Sequence, residues 1–526
     1  MQLYDTTLRD GAQSEGISFS VEDKLKIAAK LDEFGIQYIE GGWPGSNPKD
    51  IDFFKAAKQL KLSQAVLVAF GSTRHAKNKV EDDPNIKAML DAGTKAVCLV
   101  GKSSELHATQ VLETTLEENL SMIEDSIRYL KLKGYTVFFD AEHFFDGYKT
   151  NSAYSLKVVE IAAKAGADCV VLCDTNGGSL PQETAEATAA SMAYNVPLGI
   201  HAHNDGELAV ANSLAAVAAG AIHVQGTLNG YGERCGNANL CSIIPALKLK
   251  MGLNCLTDEQ LAKLTEVSHY VSEIANLVPN QYQPYVGASA FAHKAGLHVS
   301  GIMRNESSYQ HMDPSLVGNA SRVLISELSG KSNIIYMANN LGYDLTKEND
   351  YTSGVLDEIK RLENMGFQYD VAEASFEMLL KRSQQGYKAP FELVDFMVVV
   401  ESQRRPPASG NGDNMLSEAM VKVRVDDKTL HTAAEGSGPV DALDAALRKA
   451  LIEFYPSMAE VKLTDYKVRI LEESEGTGAP VRVLIESTDG EHSWRTVGSS
   501  TNIIEASWLS LVDSLEYWLL RKDKQA

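Results

Sequence analysis

Residues 197–205 read Pro197-Leu198-Gly199-Ile200-His201-Ala202-His203-Asn204-Asp205. Strand alternation sends His201 and His203 to one face, with Gly199 below them. Val196, Leu198, Ile200 and Ala202 face the other way. Apolar side chains turned toward helices, with polar ones gathered at the strand's C-terminal end, describe one strand of a parallel sheet covered by helices.

Working outward from this strand, the first 250 residues repeat the same unit. Short β-rich runs fall at Leu3 to Asp5, Tyr38 to Glu40, Ala65 to Phe70 and Ala96 to Val100. Four more fall at Thr136 to Phe139, Cys169 to Leu172, Pro197 to Ile200 and His223 to Leu228. Between them lie stretches such as Val21 to Phe34 and Leu116 to Lys131, with apolar residues at helical spacing. Gly35, Gly93, Gly134, Gly166 and Gly220 mark the helix-to-strand returns, where a left-handed residue ends a helix. Alternating strands and helices imply a parallel sheet with right-handed crossovers. Eight units at this length predict an α/β fold of the TIM (β/α)8 barrel class. An open doubly wound sheet is the alternative, and no GxGxxG follows the first strand to favour it.

The pattern changes along the chain, which predicts three parts: a barrel over 1–255, a helical linker or lid over 256–395, and a C-terminal α+β domain over 396–526, to which the resemblance given below assigns a regulatory or dimerisation role. The second part carries long helical stretches such as Asp258 to Leu277 and Val355 to Met365. The third opens with a turn-rich loop, Gln403 to Gly412. It also contains an internal repeat. Thr432, Gly436, Val440, Asp441 and Ala442 recur in type 64 residues later as Thr496, Ser500, Ile504, Glu505 and Ala506. Each copy reads as strands, a Gly/Ser-rich turn and an apolar-striped helix, giving a pseudo-symmetric α+β domain.

The 526 residues are 44% hydrophobic and 23% charged, an ordinary globular mix that excludes extensive disorder. The net charge of −21 argues against nucleic acid or an anionic membrane as main partner. No apolar run is long enough to span a bilayer, and the N-terminus lacks signal-peptide character. Six cysteines without a CxxC pair point to reduced, mostly buried thiols and a cytoplasmic protein.

The barrel's strand-end loops should hold the chemistry. The first is Asp5-Thr6-Thr7-Leu8-Arg9-Asp10-Gly11-Ala12-Gln13, which offers a cation, a carboxylate and an amide. His201 and His203 can together bite one metal ion, and Asp10 can add a carboxylate. Two histidines, one carboxylate and open positions make a Lewis-acid site for a carbonyl substrate. Non-haem iron oxygenases share that ligand count. Asp140 and Glu142 share a face at the fifth strand's end, where a carboxylate can serve as general base. Thr175, beside Gly177 and Gly178, can hydrogen-bond a substrate carboxylate. Asn237, in the loop after the eighth strand, offers a neutral oxygen near the metal.

These residues carry a specific resemblance. Leu8-Arg9-Asp10-Gly11-x-Gln13, followed by Lys24, resembles the first signature of the 2-isopropylmalate, homocitrate and citramalate synthase family. His201-x-His203-Asn204-Asp205 resembles its second, and the repeated C-terminal region resembles its regulatory domain. The segments Glu40 to Asp50 and Asp140 to Gly147 are most similar to the citramalate-forming branch. The resemblance implies a Claisen-type condensation of acetyl-CoA with pyruvate, then thioester hydrolysis, in isoleucine biosynthesis. Another 2-oxo acid, giving isopropylmalate or homocitrate, is the near alternative. A metal-dependent aldolase or lyase is a more distant one, as is a catalytically silent metal-binding sensor.

By the same resemblance Asp10, His201 and His203, with Asn237 close by, would hold a divalent metal (Mg, Mn or Zn). Arg9, Glu142 and His298 would be catalytic. Arg9, Asp140, Thr175 and Tyr309 would contact substrate. The family supplies the His298 position from the region after the barrel, often across a homodimer. Its aspartate two residues on is Ser300 here. Isoleucine would be the effector of the C-terminal domain.

Overall fold

The computed structural model describes residues 1–326, 329–342, 349–384, 386–402, 415–471, 476 and 478–522. The turn-rich stretch Gln403 to Gly412 lies outside the described residues. The chain forms two compact units, one of Met1–Phe291 with Met312–Ser321, the other of Ala292–His311 with Arg322–Ala526.

The first unit is a closed barrel of eight parallel strands in sequence order. These are β1 (Gln2–Asp5), β2 (Tyr38–Gly42), β3 (Val66–Ser72), β4 (Ala96–Lys102), β5 (Thr136–Glu142), β6 (Cys169–Asp174), β7 (Leu198–Ala202) and β8 (His223–Gly226). β1 pairs with β8 from Gln2↔His223 to Asp5↔Gly226, which closes the ring. The outer helices are α1 (Val21–Phe34), α2 (Pro48–Ala57), α3 (Pro84–Asp91), α4 (Leu116–Leu132), α5 (Phe144–Ala165), α6 (Pro181–Ser191), α7 (Ala209–Ala218) and α8 (Leu240–Pro245).

Local chemistry starts and stops these helices. Ser20 and Asp23 form a reciprocal cap on α1. Asn47 and Asp83 cap α2 and α3, each followed by proline in the first turn. The five return glycines all adopt positive φ, from 70° at Gly93 to 117° at Gly220. Between strands and helices lies a continuous apolar layer that includes Leu3, Ile39, Leu99, Phe139, Leu172 and Ile200. The lower barrel is plugged by Tyr4, Val68, Cys98, Phe138 and Val171. His223 stacks on Phe138 there, with ring centroids 5.0 Å apart. A Cβ at Gly199 would lie 2.8 Å from His223 Cδ2, so only glycine admits that ring.

The expected single helix over Asp258 to Leu277 is two, Asp258–Leu261 and Leu264–Ile274. The break has a packing cause. The returning segment Pro314–Val317 ends at Gly318, which abuts the Ala262 carbonyl, and Val317 accepts from Thr265 Oγ1 (2.7 Å).

The second unit contains a two-stranded pair, Ala292–His293 with Arg322–Val323, then helices including Lys331–Asn340, Asn349–Asn364 and Glu373–Arg382. The internal repeat follows. Strands Glu392–Ser402, Met415–Val425 and Lys428–Gly436 form an antiparallel sheet followed by helix Pro439–Leu451. Strands Lys462–Ile470, Val481–Thr488 and Ser493–Ser500 form another, followed by helix Ile503–Lys522. The duplication reaches single hydrogen bonds. Thr432 Oγ1 donates to the Ala446 carbonyl at 2.8 Å, and Thr496 Oγ1 donates to the Ser510 carbonyl at 2.8 Å.

All six cysteines are free thiols, and five are buried. Among the described residues no helix is long and apolar enough to cross a membrane.

Candidate active site

A parallel barrel gathers the C-terminal ends of all its strands at one mouth. β1 delivers Arg9 and Asp10 through a short turn in which Arg9 and Gly11 both donate backbone N–H groups to the Thr6 carbonyl. β2 contributes Glu40, β3 Phe70, β4 Lys102, β5 Asp140 and Glu142, and β7 His201. His203 and Asn237 follow β7 and β8, and their backbones pair with each other.

Arg9 organises this mouth. Its Nε donates to Glu40 Oε1 (2.6 Å), its Nη1 contacts Asp10 Oδ1, and its guanidinium lies 3.9 Å over the Phe70 ring. Burial opposes the Arg9 charge, but Asp10 and Glu40 outweigh it and hold its pKa above the ordinary value. Burial pushes the Glu40 carboxyl up to about 7 against the pull of Arg9. Tyr4 Oη donates to the other Glu40 oxygen at 2.5 Å. For Asp10, burial is outweighed by Arg9, His201 and His203, so its pKa is lowered and the carboxylate stays ionised.

The two histidines stand side by side, with ring centroids 5.3 Å apart. His201 Nε2 is 3.6 Å from Asp10 Oδ2 and 3.1 Å from Asn237 Nδ2. Burial, then the charge of His201, pushes the His203 pKa down to about 4, so its imidazole is neutral near pH 7 and offers a lone pair. His203 Nδ1 and Asn237 Oδ1 are buried without a hydrogen-bond partner. Buried polar atoms left this way are uncommon and call for a missing partner. Among the described residues no three His, Cys, Asp or Glu side chains close on one point at metal-binding distance. The donor chemistry nonetheless suits a divalent cation: an ionised buried carboxylate, two imidazole rings and an unpartnered amide oxygen.

The remaining expected residues divide in two. Glu142 and Thr175 reach the mouth with Arg9, Asp10 and His203, where they line a cleft of about 740 Å³. Lys102 Nζ pairs with Glu142 Oε2. Thr175 Oγ1 accepts from the His143 backbone N–H (2.9 Å), and its carbonyl accepts from Arg234 Nη2 (2.9 Å). Asp140 lies lower, 3% exposed, and takes a hydrogen bond from Gln225 rather than lining the cleft. His298 and Tyr309 belong to the second unit, where their rings stack with centroids 4.3 Å apart.

Sequence reasoning missed Lys102, Phe70 and Glu40 at this mouth, and Gln225 buried beneath it. Gln225 had a legible signal, since alternation places it on the face of His223, inside the barrel. Lys102 sits two residues beyond the expected end of β4.

Three family models match the chain: the HMGL-like family over residues 1–271, the homocitrate synthase post-HMGL domain-like family over 285–366, and the LeuA allosteric (dimerisation) domain over 370–519. An (R)-citramalate synthase from Geobacter sulfurreducens is 54% identical over 525 residues, covering 100% of this chain and 98% of that one. The Aquifex aeolicus (R)-citramalate synthase is 51% identical, covering 99% and 98%. A probable 2-isopropylmalate synthase from Methanopyrus kandleri is 32% identical, covering 96% of each chain. An HMGL-like barrel, a LeuA-type C-terminal domain and full-length identity of this degree place the chain in the (R)-citramalate synthase family, among the acyltransferases that condense acetyl-CoA with a 2-oxo acid.

Proposed function

We propose that the chain joins acetyl-CoA to pyruvate to form (R)-citramalate and free CoA, with the barrel mouth as catalytic centre. The observation that carries this reading is the full-length identity of 54% and 51% to proteins named for that product. The mouth's chemistry supports it. Pyruvate is a small anion with a polarisable keto group, and the mouth offers a buried guanidinium and two imidazole rings. The cleft of about 740 Å³ is larger than pyruvate needs and leaves room for the thioester end of acetyl-CoA.

Asp10, His201 and His203, with Asn237, would hold a divalent ion (Mg, Mn or Zn). When bound, the ion supplies Lewis-acid polarisation of the keto oxygen. Thr175 orients the keto acid through its carboxylate. Glu142, steadied by Lys102, takes a proton from the acetyl methyl group. The resulting carbon nucleophile attacks the keto carbon, and Arg9 stabilises the negative charge that develops on oxygen. The alkoxide takes up a proton, and water then cleaves the thioester to release CoA; His298 is the further catalytic residue and Tyr309 a further substrate contact that the family resemblance implies.

In this reading 1–255 is the catalytic part, 256–395 the helical linker or lid and 396–526 the regulatory or dimerisation part. The protein is a cytoplasmic homodimer serving isoleucine biosynthesis. Isoleucine binds the duplicated domain as feedback effector. The test is the specificity constant for CoA release with pyruvate, 2-oxoisovalerate and 2-oxoglutarate. Pyruvate is expected to lead. A higher value for 2-oxoisovalerate would transfer the chain to isopropylmalate synthesis.

A further inference from the structure

Beneath the mouth, one carboxamide bridges two strands that are not neighbours in the barrel. Gln225 on β8 is completely buried and engaged at both ends. Its Nε2 donates to Asp140 Oδ1 on β5 (3.0 Å), and its Oε1 lies 2.7 Å from His201 Nδ1.

The two contacts together fix a proton. The amide nitrogen lies on Asp140 Oδ1, an oxygen that accepts from it. The amide oxygen then faces His201, and because it only accepts, His201 Nδ1 must carry the ring hydrogen. The lone pair is therefore on Nε2, the atom turned toward Asp10. A separate contact agrees, since Asn237 Nδ2 lies 3.1 Å from the same Nε2 in the position of a donor. β7 and β8 pair His201 with Gln225 directly, so the backbone register holds the bridge in place.

We propose that Asp140 and Gln225 form a positioning relay that sets the tautomer and ring plane of His201, keeping its Nε2 lone pair aimed at a divalent cation. The proposal rests on the reading of Asp10, His201 and His203 as cation ligands. It reassigns Asp140, which acts through Gln225 and not on the keto acid. Partners on the far nitrogen of a ligating histidine commonly govern metal affinity in this way.

The test is calorimetric titration of the metal-stripped full-length protein with Mn²⁺. Gln225→Leu and Asp140→Ala are each expected to weaken Mn²⁺ binding by about 10–100-fold. The double variant should be no weaker than the poorer single variant, because both residues act through one chain of contacts. Asp140→Asn keeps an oxygen that accepts from Gln225 and should stay within about threefold of wild type, a rescue that follows from the acceptor inventory. Thermal unfolding of each metal-stripped variant checks that the fold persists. If Gln225→Leu does not fold, the contrast between Asp140→Ala and Asp140→Asn carries the test. The relay is overturned if Gln225→Leu or Asp140→Ala binds Mn²⁺ like wild type while His201→Ala does not, or if the losses multiply in the double variant. If His201→Ala itself binds like wild type, the ligand reading falls, and the relay with it.

Discussion

Replacing Arg9 by alanine removes a cation that faces Asp10, Glu40 and the open mouth together. The Arg9 side chain is 14% exposed, and its partners Asp10 and Glu40 are 3% and 0% exposed. Removing one member of a buried ion pair leaves an uncompensated charge and costs about 3–5 kcal/mol. Glu40 softens that cost. Its carboxyl already sits at about 7 with Arg9 present, so it takes up a proton once the guanidinium is gone. The stability loss is therefore expected at the low end, about 3 kcal/mol. The kinetic loss is separate. One preorganised group facing a developing oxyanion contributes about 10²–10³ in rate. We expect kcat/KM for pyruvate to fall by about 10³, near 4 kcal/mol in transition-state stabilisation. Arg9→Lys keeps a charge without the planar fork that reaches Glu40 and Asp10 at once, and should recover only about tenfold of that loss. The assay couples CoA release to a thiol reagent, alongside a thermal melt. An Arg9→Ala protein that stays folded and retains kcat/KM within about threefold of wild type would refute the assignment of Arg9 to the oxyanion, since an aligned donor contributes far more.

Three other outcomes are expected. Asp32 accepts from the backbone N–H groups of Ser63, Gln64 and Ala65 at 2.7–2.9 Å. Burial would raise its pKa, but these donors outweigh it and hold the carboxyl below its ordinary value. The resulting stability is complete above an ordinary Asp pKa of about 4 and disappears as pH falls through the lower folded value. Asp32→Ala should therefore cost about 2–4 kcal/mol at pH 7 and much less in strong acid, read by unfolding at both pH values; an equal loss at both would contradict the ionised-acceptor account. Gly177 has φ +64°, and a Cβ there would lie 2.5 Å from Asp205 Oδ2 and 2.7 Å from Asp205 N, whereas a Cβ at Gly178 meets nothing. Gly177→Ala should disturb the Thr175 turn and raise the KM for pyruvate about tenfold, with Gly178→Ala near wild type; similar KM values for the two would place the keto acid elsewhere. Saturating isoleucine should inhibit turnover and raise the melting temperature of the full chain, by about 2.7 kcal/mol of stabilisation at a hundredfold excess over Kd; no shift with isoleucine would remove it as effector.

Much of the barrel was legible because parallel strands and their helices write separate periods into the chain, with glycines at the returns. Strands β2 to β7 ran longer than expected at their C-terminal ends, whereas β8 stops at Gly226, short of the expected Leu228. On β4 and β5, Lys102, Asp140 and Glu142 extend strand pairing with charged side chains, and such a run looks like the start of a loop. Asp10, His201 and His203 could be named from local motifs, since each motif lies within a few consecutive residues. The Gln225–Asp140 bond joins residues 85 apart in sequence and two non-adjacent strands, so no local pattern encodes it. The break after Leu261 was hidden for a similar reason, because its cause is the distant Gly318. The repeat was legible by type and then proved to hold equivalent threonine-to-carbonyl bonds in both copies.

If the proposed function holds, the barrel mouth forms a carbon–carbon bond between the acetyl methyl carbon and the keto carbon of pyruvate. Carbon-13 NMR of a reaction containing acetyl-CoA labelled at the methyl carbon tests it most directly. The label is expected in the new methylene of citramalate, with one free CoA for each product molecule, and His203→Ala is expected to abolish this signal. Label recovered as acetate, or left in acetyl-CoA while pyruvate is untouched, would contradict it.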